Sequence, residues 1–304
     1  MTETAKPLVA VIGLGSMGFG MATSLRRAGF EVTGCDVAAD SVARFVNDGG
    51  KGAKTPAEAA KAADIVISVV LNAAQTETIL FGKDGVAETL AKDAVFVSSA
   101  TMDPEVARRL AKQLEPTGRH YLDAPISGGA QRAAEGELTI LASGSPAAFA
   151  KARPALDAMA AKLYELGDAA GQGAAFKMIN QLLAGVHIAA ASEAITFAAR
   201  QGLDLRKVYE VITASAGNSW MFENRMPHVI DGDYKPRSAV EIFVKDLGIV
   251  QDMARGARFP VPLASAALQM FLMAAASGMG RDDDASVARL YARIGGTTLP
   301  GEQK

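Results

Sequence analysis

The chain has 304 residues, 49% of them apolar, enough for one large or two ordinary domains of ~150 residues each. Its 31 Lys and Arg against 33 Asp and Glu leave a formal net charge of −2, so no basic footprint points to nucleic acid. A single cysteine, Cys35, excludes an internal disulfide and a thiolate cluster; with only three histidines beside it, no metal site is expected.

Residues 1–7 form a short polar start that lacks the basic-then-apolar pattern of a secretion signal. From there, β-type runs alternate with helical patterns. Strands are predicted at 8–12, 31–36, 64–70, 94–98, 120–123, 138–142 and 162–166, with helices at 17–28, 56–63 and 104–114 between them. Continuous apolar runs such as Ile65-Val66-Ile67 suit strands covered on both faces of a parallel sheet. This alternation predicts an α/β fold: a doubly wound Rossmann domain over 1–167, then a Gly-rich linker. Past residue 167 the β signal stops, and 168–304 reads as an all-α C-terminal domain entered through a long linking helix, about 174–200, with Gly202 as its C-terminal cap. That helix comes nearest to a membrane span. Lys177, Asn180, Gln181, His187 and Glu193 interrupt it, which reads as a buried helix of a soluble, cytoplasmic protein with no membrane partner.

The strongest local signal is Gly13-Leu14-Gly15-Ser16-Met17-Gly18, placed after one predicted strand and opening a helix. Gly13 permits the tight turn, Gly15 lets backbone approach a pyrophosphate, and Gly18 allows close packing of helix on sheet. Asp36 ends the second strand 18 residues after Gly18, where a ribose 2′-hydroxyl would be held. Its charge would repel a 2′-phosphate, and Val37 and Ala38 supply no arginine, so NAD is expected; Arg44 is the one nearby cation that could reach round. A second constellation, Asp123-Ala124-Pro125-Ile126-Ser127-Gly128-Gly129, follows a strand, and the N–H groups of Ser127, Gly128 and Gly129 could cradle a carboxylate. Third, Lys177 and Asn180 stand three apart on one helical face, where a lysine can exchange a proton with a substrate oxygen. Lys245-Asp246 adjoins an apolar run, though a surface charge pair explains it almost as well, and Asp282-Asp283-Asp284 resembles a charged helix start more than a metal site. Asn218, Ser219 and Arg225 gather polar groups around Trp220, either lining a pocket or anchoring an interface.

Taken in order, these motifs resemble those of the β-hydroxyacid dehydrogenases, the family of 3-hydroxyisobutyrate dehydrogenase and tartronate semialdehyde reductase. The likeness covers nearly the whole chain: Gly13–Gly18 with Met21, Asp123–Gly129, Lys177–Asn180 and Lys245–Gly248. It implies Lys177 as general acid/base, Asn180 as the substrate-orienting asparagine and Ser127, Gly128 and Gly129 as the carboxylate loop. For the cofactor it implies Leu71, Asn72, Thr101 and Lys245, with Asn72 standing where a proline is common and Gln181 where some members have a second asparagine. It also implies a helical domain that dimerises, hence a homodimer or homotetramer, and a small hydroxy-acid substrate. The stretch 217–225 with 238–248 looks most like the branch that oxidises the 2-hydroxyl of the four-carbon sugar acid L-threonate. The alternatives are 3-hydroxyisobutyrate or tartronate semialdehyde as substrate and, from a different class, a non-catalytic NAD-binding scaffold. A sugar acid needs polar partners, which Asn218, Ser219 and Arg225 would supply if they face the site.

Overall fold

A computed structural model describes residues 6–302, and the chain divides into two compact units, one ending at Lys177 and one starting at Met178. The first is built on a nine-stranded sheet: β1 (Val9–Ile12), β2 (Val32–Cys35), β3 (Lys51–Ala53), β4 (Ile65–Ser68), β5 (Val95–Ser98), β6 (His120–Asp123), β7 (Ile126–Ser127), β8 (Leu138–Gly144) and β9 (Ala160–Glu165). The spatial order is β3-β2-β1-β4-β5-β6-β8-β7, with β9 paired to β8. The six strands from β3 to β6 are all parallel, whereas β8 runs antiparallel to β6 and β7. Every residue of β1, β4 and β5 is buried, as the unbroken apolar runs require for strands covered on both faces. One core cluster centres on Val9, Val11, Ile65 and Ile67, and another holds Ala10, Val66 and Phe96; side chains alternate between the two faces.

Two strands were not foreseen. Lys51–Ala53 is a three-residue edge strand with two exposed positions, so it has no apolar run to betray it. Ile126–Ser127 is two residues long; Ser127 pairs with Thr139 of β8 and is therefore held in the sheet rather than in a free turn.

Parallel strands share a carboxyl edge, and the loops leaving it carry the motifs. Gly13 follows β1, Asp36 follows β2, Leu71 and Asn72 follow β4, Thr101 follows β5, and Asp123 closes β6. The strand order reverses direction between β1 and β4, and the crevice at such a switch point is where open α/β sheets take their ligands.

A helix of 29 residues, Gln172–Arg200, carries the chain out of this unit. The contact boundary falls inside that helix, just after Lys177, rather than at the Gly-rich linker. Gly202 beyond its end has φ +74°, and its N–H donates to the Ala199 carbonyl, as a left-handed helix stop does. The second unit is helical, with Leu205–Thr213, Trp220–Asp231, Val240–Ala257, Pro262–Ala274 and Val287–Gly295 as its principal helices. Its cores gather Ile188, Phe243, Leu247 and Phe271 in one cluster and Ile195, Phe222, Met226 and Val229 in another. By length and composition alone, Gln172–Arg200 and Pro262–Met279 could each cross a membrane, but both contribute buried side chains to these cores.

Candidate active site

Backbone geometry explains each glycine of the first loop. Gly13 has φ +95°, and a Cβ there would stand 2.2 Å from the Val69 carbonyl oxygen. A Cβ on Gly18 would lie 1.8 Å from the Gly13 carbonyl oxygen, so the helix Ser16–Arg27 sits as close to the turn as a glycine permits. Gly15 differs, with no atom within 4 Å of where its Cβ would be. It is the N-cap of that helix and supplies no side-chain cap, so the first-turn N–H groups of Ser16 and Met17 face an open space suited to a pyrophosphate. Asp36 accepts from the Leu14 N–H at 2.6 Å and from the Ala38 N–H at 2.8 Å, which ties the glycine loop to the end of β2. Each carboxylate oxygen keeps a further lone pair for a ribose hydroxyl. Arg44 lies over the Phe19 ring, 3.7 Å from its centroid. Val37 and Leu71 are exposed apolar side chains on the β2 and β4 loops, as a base-binding edge would offer. These features fit a nicotinamide dinucleotide. Thr101 is half-buried after β5, and Asn72 caps the helix Ala73–Phe81 by accepting the Gln75 N–H at 2.9 Å, which leaves its NH2 and a second lone pair for a ligand.

On the β6 side, Lys177 is buried, only 7% exposed, and its Nζ donates to the Ile126 carbonyl at 2.8 Å. That bond places the ammonium group beside the start of Ser127-Gly128-Gly129. Gly128 and Gly129 have φ of +136° and +82°, so the backbone turns sharply there, and the space a Gly129 Cβ would occupy is empty.

Sequence reasoning quoted Asp123 but assigned it no role. The structure shows it wholly buried, its Oδ2 accepting from the Gly171 N–H at 3.0 Å, the Ala174 N–H at 2.8 Å and the Ser143 hydroxyl at 3.3 Å. Burial pushes its carboxyl up to about 6, against the lowering effect of those donors. Gly173 allows the close approach, since a Cβ there would lie 2.3 Å from the Leu141 carbonyl oxygen. A carboxylate at the end of a buried strand, facing a Gly-x-Gly helix start, was the available signal.

In the second unit, Asn180 is exposed and donates from Nδ2 to the Gln181 Oε1 at 2.9 Å. Gln181 donates from Nε2 to Asp246, whose other oxygen accepts from Lys245. Asp246 is 1% exposed, so the pair is a buried carboxylate with a partly exposed lysine on it rather than the surface pair that the sequence also allowed. The polar group around Trp220 is also used internally. Arg225 grips buried Asp284 through two bonds, 2.6 and 3.1 Å, Ser219 caps its own helix, and Asn218 binds Glu223. Arg225 is therefore held in a buried ion pair, whereas Asn218 and Ser219 line a groove of the helical unit. The aspartate triplet does start a helix, the short 3-10 turn Asp284–Ser286, but Asp283 and Asp284 are buried and paired with His228 and Arg225. Among the described residues, no group of three His, Cys, Asp or Glu could hold a metal.

Comparison with known families agrees with both halves. Residues 8–167 match the NAD binding domain of 6-phosphogluconate dehydrogenase, and residues 171–291 match the NAD-binding domain of NADP-dependent 3-hydroxyisobutyrate dehydrogenase. The chain belongs to the 3-hydroxyisobutyrate dehydrogenase-like β-hydroxyacid dehydrogenases. As a member of this family it is an NAD-dependent hydroxyacid dehydrogenase. It is 51% identical over 294 residues to an L-threonate dehydrogenase of Cupriavidus necator, covering 97% of this chain and 98% of that one. With the L-threonate dehydrogenase of Escherichia coli K12 it shares 48% identity over 96% of both chains. The mitochondrial 3-hydroxyisobutyrate dehydrogenase of Rattus norvegicus is 32% identical, over 93% of this chain and 86% of that one. A crystal structure from Salmonella typhimurium, described as a 3-hydroxyisobutyrate dehydrogenase, superposes with a TM-score of 0.90 at 48% identity, covering 94% of this chain and all of that one.

Proposed function

We propose that this dehydrogenase oxidises the 2-hydroxyl of L-threonate to 2-oxo-tetronate with NAD. What carries the substrate is near-full-length similarity, at 51% and 48% identity, to L-threonate dehydrogenases; the 3-hydroxyisobutyrate enzyme of Rattus norvegicus stands at 32%. The bond from Lys177 to Ile126 carries the mechanism. The N–H groups of Ser127, Gly128 and Gly129 hold the substrate carboxylate, and Lys177 receives the proton of the reacting hydroxyl. Bound NAD would supply the hydride acceptor for the same carbon. With the Ile126 carbonyl holding one N–H, Lys177 keeps a fixed direction, and fixed direction is most of what such a group contributes. In the reverse direction the protonated lysine returns its proton to the carbonyl oxygen. Asn180, three residues on, accepts a further substrate hydroxyl. On the cofactor side, the loop Gly13–Gly18 would take the pyrophosphate and Asp36 the ribose, with Leu71, Asn72 and Thr101 as further contacts.

We also infer a cytoplasmic homodimer or homotetramer. The helical unit exposes Phe197, Leu203 and Val211 along a groove of 860 Å³, apolar side chains that a second copy would cover.

The test is NADH formation with L-threonate, D-erythronate, 3-hydroxyisobutyrate and glycerate, each offered NAD or NADP. Turnover of L-threonate with NAD is expected to fall at least ~10³-fold in Lys177→Ala while the fold is kept. Asp36→Ala is expected to weaken NAD and relieve the exclusion of NADP. Near-normal turnover in Lys177→Ala would remove the lysine from the mechanism. Activity confined to 3-hydroxyisobutyrate would replace the substrate and leave the mechanism standing.

A further inference from the structure

Among the described residues of the first unit, seven of the eight arginines have a partner: four hold carboxylates, two hold backbone carbonyls and one lies on the Phe19 ring. Arg132 is the exception, with no side-chain hydrogen bond or ion pair among those residues. Its natural partner would be Glu135, one turn on in the short helix Gly129–Glu135, but that carboxylate accepts from Gln131 at 3.0 Å. An exposed arginine without a partner is ordinary by itself; the place of this one is not. Its stem covers Gly128, with Cδ and Cβ 3.0 and 3.2 Å from where a Gly128 Cβ would stand. Two cationic side chains thus border the loop Ser127-Gly128-Gly129: Lys177 at its Ile126 start and Arg132 at Gly128. They differ in what they can do. Lys177 takes up and returns a proton in the proposed reaction, so its charge changes through turnover. A guanidinium stays charged at every working pH and presents a planar fork that fits a carboxylate. Backbone N–H groups carry only partial charges, and a carboxylate that leaves water needs a full charge of opposite sign nearby.

We propose that Arg132 is a substrate-binding residue, whose guanidinium supplies the permanent counter-charge for the carboxylate held on Ser127–Gly129. It thereby selects acids over neutral polyhydroxy compounds. This rests on the proposed reading of that loop as the carboxylate site. Arg132 takes no part in proton transfer, so its loss acts on KM and spares kcat. Water screens an exposed cation, which keeps the effect moderate and makes it sensitive to salt.

Three substitutions grade the charge at this position. With L-threonate, KM is expected to stay within about threefold of wild type in Arg132→Lys, to rise about tenfold in Arg132→Gln and about a hundredfold in Arg132→Glu. Over the same series kcat and the Kd for NADH are expected to hold. Gln and Glu lose the same packing on Gly128, so a purely structural role predicts one KM for both. Added KCl is expected to raise the wild-type KM and to leave that of Arg132→Gln nearly flat. Equal KM in Arg132→Gln and Arg132→Glu, or a fall in kcat at unchanged KM, would overturn the proposal. So would an NADH Kd that follows the charge series, since Arg132 would then serve the cofactor phosphates. Gly129→Ala, its fold checked by a thermal melt, separates this proposal from the loop reading, because its methyl enters the open space beside the loop. If KM is unchanged there, the loop does not hold the carboxylate and both readings fail. If KM rises there while the Arg132 series stays flat, only the arginine is removed from the site.

Discussion

Asp123 and Ala174 lie 51 residues apart in the chain, and the carboxylate of the first accepts the N–H of the second at 2.8 Å. Together with its bond to Gly171 this fixes the first turn of the long helix, and Lys177 follows Ala174 by one turn. Lys177 thus takes its direction from a helix start held by a buried acid far away in the chain.

That acid titrates in an unusual sense. Its carboxyl is raised from 3.8 to about 6 by burial, so the folded state binds a proton more readily than the unfolded chain. A raised value means stability is greatest below the unfolded pKa and is lost as pH rises through the folded one. Urea unfolding of wild type and Asp123→Asn between pH 7 and pH 4 is expected to show wild type gaining on the variant by something on the order of 2 kcal/mol as pH falls. Parallel curves would mean that Asp123 does not titrate in this window.

The glycines of the cofactor loop should fail in different ways. At Gly18, an added Cβ lies 1.8 Å from backbone that has nowhere to go, so Gly18→Ala is expected to cost about 3 kcal/mol of stability. Gly15→Ala meets nothing and should unfold at nearly the wild-type temperature, yet bind NADH at least ~10-fold more weakly because a methyl stands where the pyrophosphate approaches. Thermal melts paired with NADH fluorescence titrations check both halves; a wild-type affinity in Gly15→Ala would move the pyrophosphate elsewhere.

Arg225 and Asp284 form a pair with side chains 11% and 0% exposed. Removing one partner strands the other's charge, so Asp284→Ala is expected to lose about 3–5 kcal/mol in chemical denaturation. A loss below ~1 kcal/mol would indicate that water reaches the guanidinium and that the pair behaves as a surface one.

Much of the first unit was legible because its physics is local. β1, β4 and β5 are buried on both faces, so composition alone marks them, and Gly13–Gly18 carries its turn in its own residues. What stayed hidden depends on partners distant in sequence. Ser127 lies in a strand only because Thr139 pairs with it, and Asp246 is buried only because Gln181, 65 residues earlier, and the helices around it close over it. Arg225 looked available for a substrate for the same reason: nothing in its own neighbourhood reveals that Asp284, 59 residues later, holds it. Asn72 was legible as a loop residue, but not that it also caps the next helix at the Gln75 N–H three residues on.

The long-range capping of the 29-residue helix also bears on how the chain is made. All nine strands precede residue 171, so a growing chain presents Asp123 and Ser143 before the backbone N–H groups they bind. At ~5–20 residues per second, the ribosome adds the stretch from Asp123 to Ala174 within seconds, ample for strands to pair. Lys177 is therefore delivered to a scaffold whose receptor end can already be assembled, and moving this helix to the start of the chain by circular permutation would invert that schedule without changing one contact.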